Sequence, residues 1–246
     1  MSFSPHILIT RPEGQHKAFA AACGKLGFRV SHLPCLVIEL IGSEYLDSEP
    51  AISFDSVVFT SVNAVKGAAA LRSFPWSDIT VYAVGPATAN ALAECGQTLI
   101  AQPRAPYNSE ALLAQLVVQK PGRVLIVKGE GGRTKLAHSL ISAGWVVQAC
   151  NVYQRQLPAI DKPRLSEIFD SNPPDIISVT SNEVLNNLLI LAAAYKPVLL
   201  NRPLIVNSQR AADAAVRAGF TQQPLVAQSA GDQGQLDRLK RWMLLT

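Results

Sequence analysis

Two short apolar runs end in the same pair of hydroxyls. Residues 57 to 63 read VVFTSVN and residues 177 to 183 read ISVTSNE, so Thr60-Ser61 has a counterpart in Thr180-Ser181 about 120 residues later. Hydroxyls at a strand end can cap the next helix. They can also face a ligand beside that helix's unpaired N–H groups and the positive end of its dipole, which is anion-binding chemistry. Capping alone explains most isolated cases, and the repetition tilts the reading towards a divided anion site. Cations stand at equivalent places: LITRPEGQ puts Thr10 and Arg11 after one run, and LIVKGEGGR puts Lys128 and Arg133 after another. Each alone reads as a solvated loop residue; their shared position makes a ligand role an equal reading.

Catalytic chemistry is harder to place. The chain has no GxSxG elbow, no Cys/His pairing and no suggestively spaced carboxylate pair, and KGEGGRT lacks both the Lys-Ser/Thr ending of a P-loop and the third glycine of GxGxxG. Tyr153 in NVYQRQ could donate a proton if its hydroxyl faced a cleft, although residue type alone better fits an amphipathic linker tyrosine. The cysteines (23, 35, 95, 150) have no CxxC pair and the histidines (6, 16, 32, 138) no ligand spacing, so free thiols and no metal are expected.

The elements that must position these groups alternate. Apolar runs at 6–10, 56–60, 80–84, 123–128, 175–180 and 203–207 predict strands, and Ala/Leu-rich stretches at 14–26, 63–70, 86–95, 109–119, 134–143, 182–195 and 210–218 predict helices. Gly27, Gly96, Gly144 and Gly219 follow helical stretches, as residues just past a helix C-terminus do. Strands that are mostly continuously apolar, alternating with helices, predict parallel sheets covered on both faces.

With 246 residues, 48% hydrophobic and 16% charged, the chain predicts a folded protein. The net charge of +4 is a mild bias towards an anionic ligand and a weak case for nucleic acid. No apolar run approaches the roughly eighteen residues of a membrane span, and MSFSPHILIT lacks a signal peptide's basic start, so a soluble cytoplasmic protein is expected.

An internal repeat refines this architecture. LGFRV at 26 aligns with AGWVV at 143, FTSVNAV at 59 with VTSNEVL at 179, and YAVGPATANALAECG at 82 with LIVNSQRAADAAVRAG at 204. Three blocks in one order predict two similar α/β lobes, with connectors at about 34–40 and 151–157.

The ordered set ILITRP, LP, FTSVNAV, YAVGPATANAL, SEALL, LIVKGEGGR, VYQR and VTSNEVL, spread over nearly the whole chain, resembles the uroporphyrinogen-III synthase family. The resemblance implies two flavodoxin-like lobes with parallel sheets joined by a two-stranded connector, one formed by 1–36 with 158–246 and the other by 40–150. It implies a cofactor-free lyase that cyclises hydroxymethylbilane, a linear tetrapyrrole with eight carboxylates, to uroporphyrinogen III, inverting ring D and releasing water in a cleft between the lobes. Tyr153 matches the tyrosine proposed to assist departure of the hydroxyl. Ser61, Thr88, Lys128 and Ser181 match positions that would contact carboxylates, with Thr60, Arg133 and Thr180 beside them, and Arg11 matches the arginine of the first-strand turn. Where relatives have a Gly-Pro-Thr-Thr-like turn this chain has Asn207-Ser208-Gln209-Arg210, which puts the Ser208 contact in doubt. A monomer in transient contact with hydroxymethylbilane synthase is the expected state. Two alternatives stay open: a non-enzymatic two-lobed sensor of an anionic metabolite, and a nucleotide-dependent transferase using KGEGGR.

Overall fold

The computed structural model describes residues 4–42, 54–71, 79–131, 134–229 and 231–245. The chain forms two compact units, 1–37 with 156–246 and 38–155.

The first unit holds a parallel sheet of β1 (His6–Ile9), β2 (Arg29–His32), β9 (Ile176–Val179), β10 (Leu204–Val206) and β11 (Leu225–Val226), in the order β2-β1-β9-β10-β11. Numbered within the unit this is 2-1-3-4-5, the flavodoxin order. Ile7, Ile9, Ile176 and Ile205 pack with Phe19 and Cys23 of α1 (Lys17–Lys25) and Leu239 of α10 (Asp232–Met243). Burial in that core pushes the Cys23 thiol up to about 12.

The second unit contains β3 (Val37–Leu40), β4 (Ser56–Phe59), β5 (Thr80–Ala83), β6 (Ile100–Ala101), β7 (Arg123–Gly129) and β8 (Val146–Gln156), in the order β3-β8-β7-β4-β5-β6. Alternate residues of its strands enter two cores. Val57, Phe59, Leu125 and Val127 meet Val65 of α2 (Val62–Ala69) and Leu92 of α3 (Pro86–Glu94). Val58, Val124 and Ile126 meet Leu112 of α4 (Ser109–Leu116) and Leu140 of α5 (Lys135–Ser142). Both faces are covered there, which is why the runs VVF of β4 and VLIV of β7 are continuously apolar.

In the second sheet, β8-β7-β4-β5-β6 is again 2-1-3-4-5 once β7 is counted first. The repeat aligns β2 with β8, β4 with β9 and β5 with β10, so the sheets have exchanged parts: β1 and β2 stand with β9–β11, while β7 and β8 stand with β4–β6. The chain passes between units at 37/38 and 155/156, on β3 and β8, which are neighbours in the second sheet.

Gly27, Gly96, Gly144 and Gly219 all have positive φ after their helices. The helix expected over 182–195 is shorter: α7 (Asn182–Leu191) gives way to a 3-10 turn at Ala193–Tyr195, and α8 (Lys196–Leu200) follows. The other helices among the described residues are α6 (Lys162–Ser166), which runs on into a π-helical turn at Glu167–Ser171, and α9 (Gln209–Ala218). No single helix among the described residues is long and apolar enough to cross a membrane.

Candidate active site

In a parallel sheet the loops beyond the strands' carboxyl ends carry ligands. At that edge of the second sheet, β4 delivers Thr60, whose Oγ1 donates to the Val127 carbonyl at 3.2 Å, and Ser61, the N-cap of α2. Ser61 Oγ accepts from Ala64 N at 3.1 Å and lies 3.2 Å from the hydroxyl of Tyr153. Tyr153 is buried on β8, and Arg155 Nη2 donates to its phenolic oxygen at 3.3 Å.

Hydrogen-bond accounting orders this group. Arg155 can only donate, so the Tyr153 oxygen accepts from it and the phenolic proton is left to point to Ser61 or to a ligand. When Tyr153 donates to Ser61, the serine oxygen accepts twice and its own proton is directed elsewhere. Ser61 is partly exposed and Tyr153 is not, so the serine is the outer end of the pair.

The register of β7 against β8 shifts between Lys128 and Gly129, setting Gly129 opposite Tyr153. A Cβ at Gly129 would lie 2.6 Å from Tyr153 Cε2 and 2.8 Å from its hydroxyl oxygen, so glycine makes room for the ring. Lys128 shares a cavity of about 250 Å³ with Thr60, Thr134 and His138. Thr88 is buried in the first turn of α3. Arg133 lies outside the described residues.

In the first unit, β9 leads into Thr180 and Ser181, and Ser181 caps α7 by accepting from Val184 N at 3.2 Å. Ser208 caps α9, accepting from Ala211 N at 3.3 Å. Asn207 donates to the Thr180 carbonyl at 3.5 Å and accepts at 2.9 Å from Gln235, which is fully buried and also accepts from Ser178 Oγ at 2.7 Å. The Asn207-Ser208 turn is thereby tied into the interior.

Arg11 is buried too. Its Nη1 pairs with Asp232 Oδ1, and its guanidinium carbon sits 4.1 Å above the Phe19 ring. Asp232 opens α10, where the dipole favours a carboxylate. The pair joins the β1 turn to α10. Arg11→Met should therefore cost about 1.5–3 kcal/mol, the range for a charged hydrogen bond, and lower the melting temperature. An unchanged melting temperature would remove this structural role.

The structure brings Ser61 to Tyr153 and Thr60 to Lys128, and commits Arg11 to Asp232. It also adds groups that sequence reasoning passed over. Arg155 is two residues from Tyr153 and went unread, and Gly129 carried the signal of a glycine inside a strand. Glu13, His16 and His32 meet through folding although the histidines are 16 residues apart. Burial lowers the pKa of His32, against the raising effect of its hydrogen bond to the Arg11 carbonyl.

Residues 17–234 match the family model described as Uroporphyrinogen-III synthase HemD. The chain belongs to the uroporphyrinogen-III synthase family. Among curated uroporphyrinogen-III synthases it is 30% identical to that of Salmonella typhimurium over 248 residues, covering 95% of this chain and 99% of the relative. It is 29% identical to that of Escherichia coli, again covering 95% and 99%. The fold is shared with solved structures of uroporphyrinogen-III synthetase from Helicobacter pylori (TM-score 0.68, 16% identity, 98% of this chain and 100% of that one) and of a mutant uroporphyrinogen III synthase from Thermus thermophilus (TM-score 0.59, 19% identity, 98% and 100%). Membership in the uroporphyrinogen-III synthase family makes the chain a cyclising lyase.

Proposed function

We infer that this chain cyclises hydroxymethylbilane to uroporphyrinogen III, inverting ring D and releasing water. The observation that carries this reading is the match of residues 17–234 to the uroporphyrinogen-III synthase family. Incubation with freshly generated hydroxymethylbilane, oxidation, and separation of the I and III isomers tests it. Excess of the III isomer is expected; isomer I alone, at the uncatalysed rate, overturns the reading.

In this proposal Tyr153 and Ser61 form a two-step proton path. Ser61 gives its proton to the departing hydroxyl and takes one from Tyr153, so the carbon–oxygen bond breaks with water as leaving group and an azafulvenium cation remains; the proton that ring closure later releases restores the Tyr153 phenol. Ring closure through a spiro intermediate follows. The main catalytic work is conformational, since the reacting ends must meet before unassisted closure gives the other isomer. The capped strand ends at Ser61, Ser181 and Ser208, with Thr60, Thr88, Lys128, Arg133 and Thr180, are proposed to hold carboxylates through hydroxyls, amides and cations. A cytoplasmic monomer receiving substrate from hydroxymethylbilane synthase in brief contact fits a substrate that closes wrongly when left free.

Serine variants divide capping from ligand binding. Ser181→Ala should weaken uroporphyrinogen III binding by about 0.5–1.5 kcal/mol, the net value of a hydrogen bond. Ser61→Asp and Ser181→Asp should weaken it more, because they set a negative charge against an anionic ligand. Asp is a good N-cap, so both variants should melt near the wild-type temperature. If both also bind product normally, these serines cap helices and hold no carboxylate.

A further inference from the structure

We propose that Glu13, His16 and His32 bind one divalent transition-metal ion of the zinc class at the carboxyl edge of the first sheet. Glu13 lies in the turn after β1, His16 is the N-cap of α1, and His32 ends β2, paired with Ile9. One donor atom from each lies within 4.8 Å of the other two. Each glutamate oxygen faces a different imidazole: Oε1 is 3.7 Å from His16 Nδ1, and Oε2 is 3.6 Å from His32 Nδ1. These distances are too long for hydrogen bonds. They lie close to the separation of about 3.3–3.4 Å that tetrahedral geometry gives two ligands each 2.0–2.1 Å from a shared zinc ion.

The hydrogen bonds leave lone pairs where an ion would need them. His32 Nε2 is 2.8 Å from the Arg11 carbonyl, which can only accept, so the hydrogen is on Nε2 and the neutral ring presents a bare Nδ1 to the carboxylate. A backbone carbonyl commonly orients a metal-binding imidazole in this way. His16 Nδ1 is buried and has no hydrogen-bond partner. The bare His32 Nδ1, the unpartnered His16 Nδ1 and the carboxylate thus lie together with no hydrogen bond between any two of them, and a cation would supply the missing partner. The rings stack with centroids 3.5 Å apart, so the His16 ring must turn out of the stack to share the ion while the Arg11 carbonyl holds the His32 ring. Glu13 is mostly exposed, so the fourth position opens to water. The nearby guanidiniums have carboxylates of their own: Arg11 pairs with Asp232, and Arg164, which donates to the His32 carbonyl at 3.0 Å, pairs with Glu167 at 2.6 Å.

The test uses the untagged, chelator-treated full chain carrying Cys95→Ser, because Cys95 is the exposed thiol. CoCl2 is followed by its d–d absorption and ZnCl2 by calorimetry, neither of which depends on turnover. One ion per chain is expected, weakened about 100-fold or more by His16→Ala, His32→Ala and Glu13→Gln, because loss of even an outer-shell partner costs 10–100-fold. His138→Ala should leave binding unchanged. No saturable binding by the parent, or parental affinity in any of the three variants, overturns the proposal. Should a histidine variant fail to fold, Glu13→Gln, an exposed and isosteric change, decides alone.

Discussion

Gly129→Ala should slow uroporphyrinogen III formation by about ten- to a hundredfold, although it adds a single methyl group and no charge. The new carbon would lie 2.6 Å from Tyr153 Cε2 and 2.8 Å from the phenolic oxygen, inside any ordinary van der Waals contact. Tyr153 is 2% exposed and packed with Val127, Cys150 and Val152, so its ring has nowhere to turn. Either β7 retreats or the ring moves, and both break the 3.2 Å contact to Ser61 and the 3.3 Å contact from Arg155. Overpacking of this kind costs about 1–3 kcal/mol, so the melting temperature should fall with the rate. A folded variant of normal activity would show that the placement of the Tyr153 ring does not matter.

Tyr153→Phe should give a similar ten- to hundredfold loss of rate, near the lower range of general acid catalysis, with a much smaller loss of stability. The ring still fills its place, and only the hydrogen bonds of one hydroxyl are lost, worth about 0.5–1.5 kcal/mol each. In the proposed path Ser61→Ala interrupts the same proton transfer, so the double variant should be no slower than the slower single one. Additive losses would mean that the two hydroxyls act separately. Unchanged turnover in Tyr153→Phe would remove the phenol from the mechanism, whereas complete inactivity in a folded protein would make proton transfer the dominant barrier.

Much of the fold was legible because central strands buried on both faces have few residue types to choose from. HILI, SVVF and IISV are buried at every position, and each was readable as a strand. Edge strands carry a weaker signal: β2 reads RVSH, mostly polar and partly exposed, and was not predicted, while β3 reads VIEL, largely exposed, and was expected only as part of the two-stranded connector that the family resemblance implies. Helix α10 was missed because DQGQLDRLKRWM is polar with an interior glycine, yet Leu239 and Gln235 are fully buried. At the site, Ser61 and Ser181 were readable because a cap is local and sits at a fixed place before its helix. The partners of Tyr153 depend on a one-residue shift between β7 and β8, and the meeting of His16 with His32 depends on α1 returning the chain to β2. Such juxtapositions are set by tertiary register, which spacing along a chain does not encode.

The exchanged strands impose a schedule on synthesis. β4 to β8 leave the ribosome as one continuous stretch and can assemble their sheet as they emerge. β1 and β2 are made first but must wait for β9, about 140 residues later, before β1 has a neighbour on its second side. At 5–20 residues per second that delay is roughly 7–28 s, far longer than the microseconds of local collapse. Through it the HILI segment, apolar at three of its four positions, has an open edge towards any other nascent strand. β1 is thus the segment whose wait makes a chaperone useful, although it ends up between two neighbours in a finished sheet.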